Sequence, residues 1–538
     1  MMSEATAVTG QGHSAGSTAQ RGQLPTASFP PGNACLAQPY IWRRVLAKGA
    51  GWLLVLLLTF GTYLLVRSWY IHWAGTRDLG LALAETEREF PHWTWESLRR
   101  DPDFAPTNDE GAKLLESLYH ELAKRGGGDP WQALQELQAY RLLTGVRQEL
   151  LSARGSAAKA MPRRALEECA RFAQQILAFR HVPPGGRMDV CPLGAWETPQ
   201  HLQALQLLVS LTSALAVWEL DNGRPEHALE YAEAMLGMAN AVRQEPTLLA
   251  FAHWAEMEQS AARLLELTLA RTEISEQRLA YWQRRFEELL PLPRFERIVR
   301  GERARTELAL ARLGDAAQRR AIFDSLLQQC APSRQRFLDD PFSWATQQTQ
   351  EIWLAYQLGT WLPYLRTQSL RYFNEAEVLF RLSPEQFERQ VPSFLYRWEG
   401  YRHDLWRDEW RVMSIFAGWL LDWPVRNLMR HRDERDACLA AAVLAIGLER
   451  YRMQHGHWPI RFSDLPADWL PKVPHLNLKQ DAYLHPVEDA VVVQVRTKFG
   501  HSRPLSPQWR EWRWFAYEPG TFILFDPPKR LYVRRPDA

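Results

Sequence analysis

Apolar residues recur at helical spacing along most of the chain, from about Leu79 to Leu370, and Gly and Pro interrupt the pattern at intervals. Gly223 lies where a left-handed residue would close a helix, and Pro225 lies where the next helix would begin, since its missing N–H costs nothing there. A helix, a short turn and a second helix, with Ala at the contacts, are typical of closely packed antiparallel helix pairs. The pattern therefore predicts either an irregular helical bundle or a degenerate α-solenoid of helical pairs. The clearest segments predict helices over 199–220, 226–244 and 248–270.

A different pattern lies near the start of the chain, where residues 49–66 (GAGWLLVLLLTFGTYLLV) contain no charge. That length is about what a helix needs to cross the hydrocarbon core of a bilayer. We therefore predict a transmembrane helix over 49–66. A cleaved signal peptide is the alternative, although no small-x-small cleavage site follows Val66 promptly. The flanking aromatic residues resemble interface anchors: Trp42, Trp69, Tyr70 and Trp73.

Positive charges are slightly more numerous before this segment (Arg43, Arg44 and Lys48) than after it (Arg67 and Arg77). By the positive-inside rule the bias favours a cytoplasmic N-terminus. We therefore predict a single-pass protein of the inner (cytoplasmic) membrane with the bulk of its chain in the periplasm. The basic residues before the segment also faintly resemble a twin-arginine export signal, but the cleavage site is again missing.

After residue 423 the pattern changes. Residues 424–454 predict one long helix that ends at His455-Gly456, because Gly is the residue expected just past a helix end. Strand-forming stretches separated by turn residues follow, over 490–498, 512–517, 521–525 and 530–534. The predicted fold is thus mainly α with a small C-terminal α+β module, a long helix plus an antiparallel meander. The predicted segments are a disordered tail over 1–38, the transmembrane helix over 49–66, a helical domain over 78–423 and the C-terminal module over 424–538.

Composition narrows the classes of function. The formal net charge is +2, and acidic residues are interleaved with the arginines, which argues against a nucleic-acid-binding protein because phosphate backbones need a concentrated basic surface. The 24 Trp predict either a Trp-rich core or an exposed aromatic binding face. The cysteines form no CxxC pair and no cluster with zinc spacing. Four of them follow the membrane segment, and their disulfide pairing stays open: Cys169, Cys191, Cys330 and Cys438.

Two parts of the body resemble a known family. They are residues 214–269, ALAVWELDNGRPEHALEYAEAMLGMANAVRQEPTLLAFAHWAEMEQSAARLLELTL, and the later RGERA at 300–304. Together they resemble uncharacterised bacterial membrane-anchored helical proteins of TPR-like organisation. The resemblance spans roughly Thr107 to Pro474. It implies a tethered helical body, and the family has no activity that could be carried over.

The stretch LERYRMQHGHWPIRFSDLPADWLPKVP, residues 448–474, is similar to the region after the long helix of pseudopilins from bacterial type II secretion systems. In pseudopilins the corresponding segment leads into a small antiparallel sheet. In pseudopilins, however, the membrane helix continues into the long helix, whereas here it lies far upstream. The C-terminal PPKRLYVRRPDA is also basic where pseudopilins carry an acidic calcium loop. The resemblance therefore implies the fold of this module rather than a role in secretion.

The sequence contains no Walker loop, HExxH or GxGxxG. Its GxSxG match, GHSAG at 12–16, lies in the tail predicted to be disordered and so lacks the strand–turn–helix context of a nucleophile elbow. His253 and Glu256 stand one helical turn apart, but a di-metal bundle needs a second such pair and further carboxylates, so we predict a helix-surface pair. His455, His457, His475 and His485 are predicted to be turn histidines rather than metal ligands. We therefore predict no enzyme, no catalytic, cofactor-binding or metal-binding residue, and no cofactor.

Two clusters of charged residues are interpreted as structural features of helices rather than as functional sites. Residues 433–436 (DERD) predict a solvated helix face with local ion pairs. Arg300, Glu302 and Arg303 predict a helix surface or an interhelical bridge.

The best-supported function is a membrane-anchored helical scaffold that binds a protein partner at the cell envelope and contacts the lipid bilayer through residues 49–66. One alternative is an unrecognised enzyme acting on envelope polymers, which would need two carboxylates, or a nucleophile and its base, converging in one cleft. The other is a component of a secretion or pilus-like assembly that docks through its C-terminal module.

Overall fold

A computed structural model describes residues 38–125, 170–188, 198–291, 295–315, 317, 341–407, 423–473, 481–487, 490–497, 520–527 and 530. The described helices are α1 Gln38–Glu89, α2 Trp95–Arg100, α3 Glu110–Arg125, α4 Ala173–Ala178, α5 Gln200–Asp221, α6 Pro225–Val242, α7 Leu248–Arg271, α8 Glu276–Leu289, α9 Phe295–Leu313, α10 Pro341–Phe380, α11 Pro384–Arg407 and α12 Trp423–His455. The described strands are β1 Ala482–Val487, β2 Ala490–Val495 and β3 Thr521–Phe525. The chain is therefore mainly helical with a small antiparallel sheet near its C-terminus, which confirms the predicted fold class.

Helices α5, α6 and α7 form the centre of the body, with α6 packed on both of its neighbours. Their contact faces are rich in small residues, so the backbones approach closely. A methyl group on Gly237 of α6 would lie 1.8 Å from the carbonyl oxygen of Phe179, which shows how tightly the chain before α5 lies on α6. The predicted ends are also confirmed: Gly223 has φ +70° after α5, and Pro225 is the first residue of α6.

Helix α12 packs on α7 and α8, and its residues join the same hydrophobic cluster as those of α5 to α9. Burial here extends nearly all round the helix, from Ala437 to Leu448. The helix ends as predicted, because Gly456 follows it with φ +77°. At this end Tyr451 stacks on His455, with ring centroids 4.0 Å apart, and meets the His457 ring edge-on at 5.8 Å.

The three described strands form an antiparallel sheet in the order β1-β2-β3. Strands β2 and β3 pack on α7 and α12. Two charged residues of α7 bind the backbone of β3: Arg263 Nη1 donates to the Thr521 carbonyl, and Glu266 Oε1 accepts from the Ile523 amide at 2.7 Å. Strand β3 coincides with its prediction, β2 is shorter than predicted, and β1 was not predicted. The predicted strand over 512–517 lies outside the described residues, and so does the predicted strand over 530–534 except for Arg530, which is not in a strand.

Helix α1 divides into two parts. Its residues up to Arg67 belong to one unit of the chain, and those from Ser68 onward belong to the compact body. In the second part, Ser68 Oγ lies 2.6 Å from Thr360 Oγ1, and His72 Nδ1 lies 3.1 Å from the Gly359 carbonyl, so α1 is hydrogen-bonded to α10 at Ser68 and His72. The tail predicted over residues 1–38 lies outside the described part except for Gln38, which is the first residue of α1.

Two described helices are long and apolar enough to cross a membrane, Lys48–Glu89 within α1 and Gln200–Asp221, which is α5. The apolar window of α5 is 83% buried, as in the core helix of a soluble domain, whereas that of α1 is 0% buried. Exposed side chains there include Trp52, Leu56 and Leu65. The chain thus carries one apolar helix whose side chains the body does not cover, which is compatible with membrane association.

Candidate functional site

A cleft of about 770 Å³ lies where four connecting segments meet α9. Its walls come from the loop after α2, the segment around Pro184, the loop between α6 and α7, the first turns of α9 and the residue after α10. A cleft of this volume is in the usual range for small-molecule sites. The charged residues that line it are Arg243, Arg297, Arg300, Arg381, Asp101, Asp103, Glu245 and Glu296.

Close backbone approach sets the shape of this cleft. Gly301 of α9 lies directly against the loop between α6 and α7, where an added methyl group would be 1.9 Å from the Pro246 carbonyl oxygen. Gly185 is held from two sides, because its amide donates to the Asn240 carbonyl at 2.9 Å and its carbonyl accepts from the Gln244 amide at 2.8 Å. Glycine at both positions lets the walls come together without a side chain between them.

The RGERA segment supplies this contact and two charged bridges. Glu302 Oε2 accepts the Leu248 amide at 3.0 Å, which satisfies one of the free amides at the start of α7. Thr247 caps the same helix through its Oγ1. On the other side, Arg300 and Arg303 reach α10. Of the two predictions for these residues, the interhelical bridge is confirmed.

Three arginines converge on the carboxylate of Glu377 in α10, which is fully buried. Arg300 donates to Oε1 from Nε at 3.2 Å and from Nη2 at 2.9 Å, and Arg381 Nη2 donates to the same oxygen. Arg303 Nη1 lies 2.9 Å from Oε2. We call Glu377 and these arginines the Glu377 cluster. Burial lowers the pKa of Arg303 to about 10, and the neighbouring Arg300 guanidinium contributes to the lowering.

Aromatic rings from the segment after α1 cover this cluster. The Phe90 ring lies 4.4 Å from the Arg303 guanidinium carbon and 5.3 Å from that of Arg381. Cations over aromatic faces are stabilised by the ring quadrupole, so Phe90 offsets part of the cost of crowding like charges. Asn374 links the cluster back to α1, since its Oδ1 accepts from Arg303 at 2.9 Å and its Nδ2 donates to Thr86 at 2.8 Å.

A second buried ionic cluster lies behind Arg243. Arg243 Nη1 lies 3.1 Å from Glu258 Oε1, and Glu258 Oε2 also accepts from Arg435 at 2.5 Å. Arg435 in turn donates to Asp436 at 2.6 Å, and the Trp254 ring lies 4.9 Å from its guanidinium carbon. Arg435 and Asp436 are 0% exposed. The prediction that residues 433–436 form a solvated face was therefore wrong, because α12 is central to the core and its charges are neutralised internally.

The opposite wall is built from backbone contacts of Arg297. Its Nη2 donates to the Phe104 carbonyl and, at 3.0 Å, to the Gln244 carbonyl, so the guanidinium joins the α2 loop to the α6–α7 loop. Burial lowers the pKa of Arg297, and Asp101 opposes the change. Glu245 is held by His201 at 2.7 Å and by the Arg187 amide at 3.0 Å.

Four of the histidines noted in the sequence, His253, His455, His457 and His485, are not among the residues that line this cleft. His253 is 5% exposed, so the surface pair predicted with Glu256 is half wrong: the imidazole is in the core and lies 3.9 Å from the partly exposed carboxylate. Near it, burial lowers the pKa of His431 to about 4; Arg430 and His253 contribute to the lowering, and Glu256 opposes it. His455 and His457 are exposed, and burial lowers the pKa of His485. His475 lies outside the described residues.

No group of three His, Cys, Asp or Glu side chains that could hold a metal ion occurs among the residues that the structure describes. Cys438 is buried in the core, and Cys169, Cys191 and Cys330 are not among the described residues, so their pairing stays open. The described Trp side chains occupy both buried and exposed positions, and the predicted aromatic binding face stays a prediction. Trp254 and Trp282 are fully buried, whereas Trp69 and Trp73 of α1 are exposed.

The sequence did not indicate this cleft. Its charged residues come from segments far apart in the chain, and Glu377 stands 77 positions from Arg300 in a stretch without a motif. The RGERA segment was the only part singled out beforehand. Comparison with known proteins gives no further guide, since no protein-family model, curated protein or solved structure matches the chain.

Proposed function

We propose that this protein is a single-pass membrane-anchored binding module, in which the apolar part of α1 inserts into a bilayer and tethers a helical body that offers a ligand-binding cleft. The observation that supports the tether is the exposure of its apolar side chains: Leu56 is 64% and Leu65 68% exposed. A run of such residues in water would be a strong association site, and burial in lipid removes it from water.

Support for a fixed attachment comes from the way α1 enters the body. Gly75 lets α1 lie close to α10, since an added methyl group would be 3.2 Å from the Tyr364 amide. Leu79 and Ala82 are buried with Phe90, Trp93 and Leu370. The part of α1 from Ser68 onward is thus a packed element of the body.

Binding is favoured over catalysis by the chemistry of the cleft. Its cationic groups are arginines, which stay protonated near neutral pH and so hold charge in place rather than transfer protons. Glu377 and Glu258, the carboxylates beneath them, are each ion-paired with more than one arginine. Such groups are suited to orienting a charged ligand.

Flotation of the full-length chain with liposomes tests the tether. Each arginine placed at the centre of a spanning helix costs about 3 kcal/mol of insertion free energy. We expect wild type to float after a carbonate wash and the double variant Leu56→Arg/Leu57→Arg to float much less. Leu81→Arg is the matched control, because Leu81 is 58% exposed on the same helix beyond the apolar part. Extraction of the wild type by carbonate, or an equal loss for Leu81→Arg, would contradict the tether.

We further propose that the membrane is the inner membrane of a bacterial envelope and that the body faces the periplasm. Three positive charges precede the apolar segment and two follow it, which favours this orientation. A C-terminal alkaline phosphatase fusion should be active in cells. An inactive phosphatase fusion together with a fluorescent C-terminal fusion of a cytoplasm-only reporter would reverse the orientation without affecting the tether.

A further inference from the structure

The Glu377 cluster contains more positive than negative charge. One carboxylate serves Arg300, Arg303 and Arg381, which leaves two positive charges without a partner of their own within the cluster. Glu377 and Arg303 are both 0% exposed, so water screens them poorly. Burial and like charge together lower the pKa of Arg303, the direction expected where anions are too few.

The excess positive charge of the Glu377 cluster faces the cleft. Arg300 and Arg381 line it, and their side chains are 32% and 46% exposed. Arg300 donates hydrogen bonds to Glu377 only from Nε and Nη2, and Arg381 donates only from Nη2. Within the described part of the chain, Arg300 Nη1 and the Nε and Nη1 groups of Arg381 have no hydrogen-bond acceptor. These donors are therefore available to a ligand.

The spacing of the two guanidiniums suits a small anion. Both donate to one oxygen of Glu377, so they lie side by side, and the Phe90 ring lies 5.3 Å from the Arg381 guanidinium carbon. Arginine pairs are the usual recognition groups for phosphate, because several N–H groups can donate to several oxygens at once.

Four carboxylates line the cleft, and the charge of each bears on the binding of an anion. Glu296 is half-buried in the first turn of α9 and forms no ion pair with Arg300 or Arg381 within the described part of the chain, so it takes none of their N–H groups. Glu245 is engaged with His201 and the Arg187 amide, and Asp101 accepts the Asp103 amide at 2.9 Å within its own turn. Asp103 is exposed, so solvent and salt screen it. The volume of about 770 Å³ leaves room for an organic group beyond the anion.

We propose that Arg300 and Arg381 bind the phosphate group of a phosphate ester that occupies the cleft. The ester is either a soluble metabolite-sized molecule or the headgroup of a lipid, since both present the same group. The proposal deepens the binding function proposed above, but binding can be measured in detergent and so does not depend on whether the tether inserts.

Calorimetric titration of the full-length chain in a phosphate-free non-ionic detergent tests the proposal, with inorganic phosphate as the probe at constant ionic strength. We expect saturable binding by the wild type. Arg381→Gln and Arg300→Gln should each weaken it about ten- to a hundredfold, the loss of one charge-assisted contact. The matched control is Arg397→Gln, because Arg397 is 65% exposed, also pairs with a glutamate and lies outside the cleft lining.

Competition by glycerol 1-phosphate but not by a short-chain phosphatidic acid would assign the site to soluble esters, and the reverse would assign it to a lipid headgroup.

Circular dichroism checks that each variant is folded; because Arg381 is nearly half exposed, its replacement should leave the fold intact. The proposal is overturned if wild type shows no saturable phosphate binding, if both cleft variants bind like wild type, or if Arg397→Gln weakens binding as much as they do.

Discussion

The contact of Gly301 with Pro246 allows a quantitative test of the structure around the cleft. A methyl group at position 301 would lie 1.9 Å from the Pro246 carbonyl oxygen and 2.7 Å from its Cβ, whereas ordinary van der Waals contact begins at 3.4 Å. The obstacle is backbone, so no side-chain rotation relieves it. For Gly301→Ala, α9 and the loop between α6 and α7 must separate by about 1.5 Å at this point.

The expected magnitude follows from two opposing terms. Overpacking a close contact costs about 1–3 kcal/mol, and a backbone obstacle lies at the upper end. Alanine gains up to about 1 kcal/mol over glycine in a helix interior. We therefore expect Gly301→Ala to lower the free energy of unfolding by about 2 kcal/mol. Because Arg297 and Arg300 stand on the same turns of α9, the affinity for phosphate should fall as well.

The matched control is Gly447→Ala in α12. There the nearest atom to an added methyl group is Leu465 Cδ1 at 3.5 Å, an ordinary contact. This variant should be as stable as wild type or gain up to about 1 kcal/mol. Urea unfolding of the full-length chain in detergent, followed by far-ultraviolet circular dichroism, compares the three proteins. If Gly301→Ala matched wild type, or Gly447→Ala were the less stable variant, the described packing of α9 would be refuted.

Three further predictions concern buried polar groups. Glu377→Gln removes the only anion of the Glu377 cluster and should lower the free energy of unfolding by about 3–5 kcal/mol. Glu375→Gln on the same helix should lower it by less than about 1 kcal/mol. Equal unfolding free energies for the two variants would disprove the cluster. Because the pKa of His431 is lowered, the unfolded chain takes up a proton between pH 6.5 and about 4 that the folded chain does not. The free energy of unfolding of wild type should therefore fall by about 2 kcal/mol over that interval relative to His431→Gln. Parallel stability profiles of wild type and variant against pH would refute this. Glu266→Ala removes the acceptor of the Ile523 amide, which should exchange its hydrogen about ten- to a hundredfold faster while amides of α5 do not change; unchanged protection of Ile523 would contradict the bond between α7 and β3.

Elements with strong local signals were predicted well. The ends of α5, α6 and α12 followed from Gly223, Pro225 and Gly456, because positive φ and a missing amide are local constraints. Strand β3 followed from a short apolar run between turn residues. Strand β1 was missed because its sequence, AYLHPV, contains His and Pro and lies at the sheet edge, where pairing with β2 rather than propensity holds it.

The charged clusters were beyond prediction for a physical reason. Charged residues at i, i+3 and i, i+4 usually form solvated pairs, so residues 433–436 were predicted to face water. Their burial depends on partners such as Glu258, which only tertiary packing brings to Arg435. The same holds for Glu377. The contacts that define the cleft are all between segments distant in sequence, and single-chain patterns carry no record of such partners.

The most direct test of the membrane tether measures the surroundings of the apolar part of α1 itself. A fluorescent amino acid is incorporated at position 57, and separately at position 81, in the full-length chain reconstituted into liposomes. At position 57 we expect strong quenching by brominated lipid and protection from aqueous iodide; at position 81 we expect the reverse. Iodide quenching at position 57 as strong as at position 81, with no effect of brominated lipid, would show that this helix does not enter the bilayer.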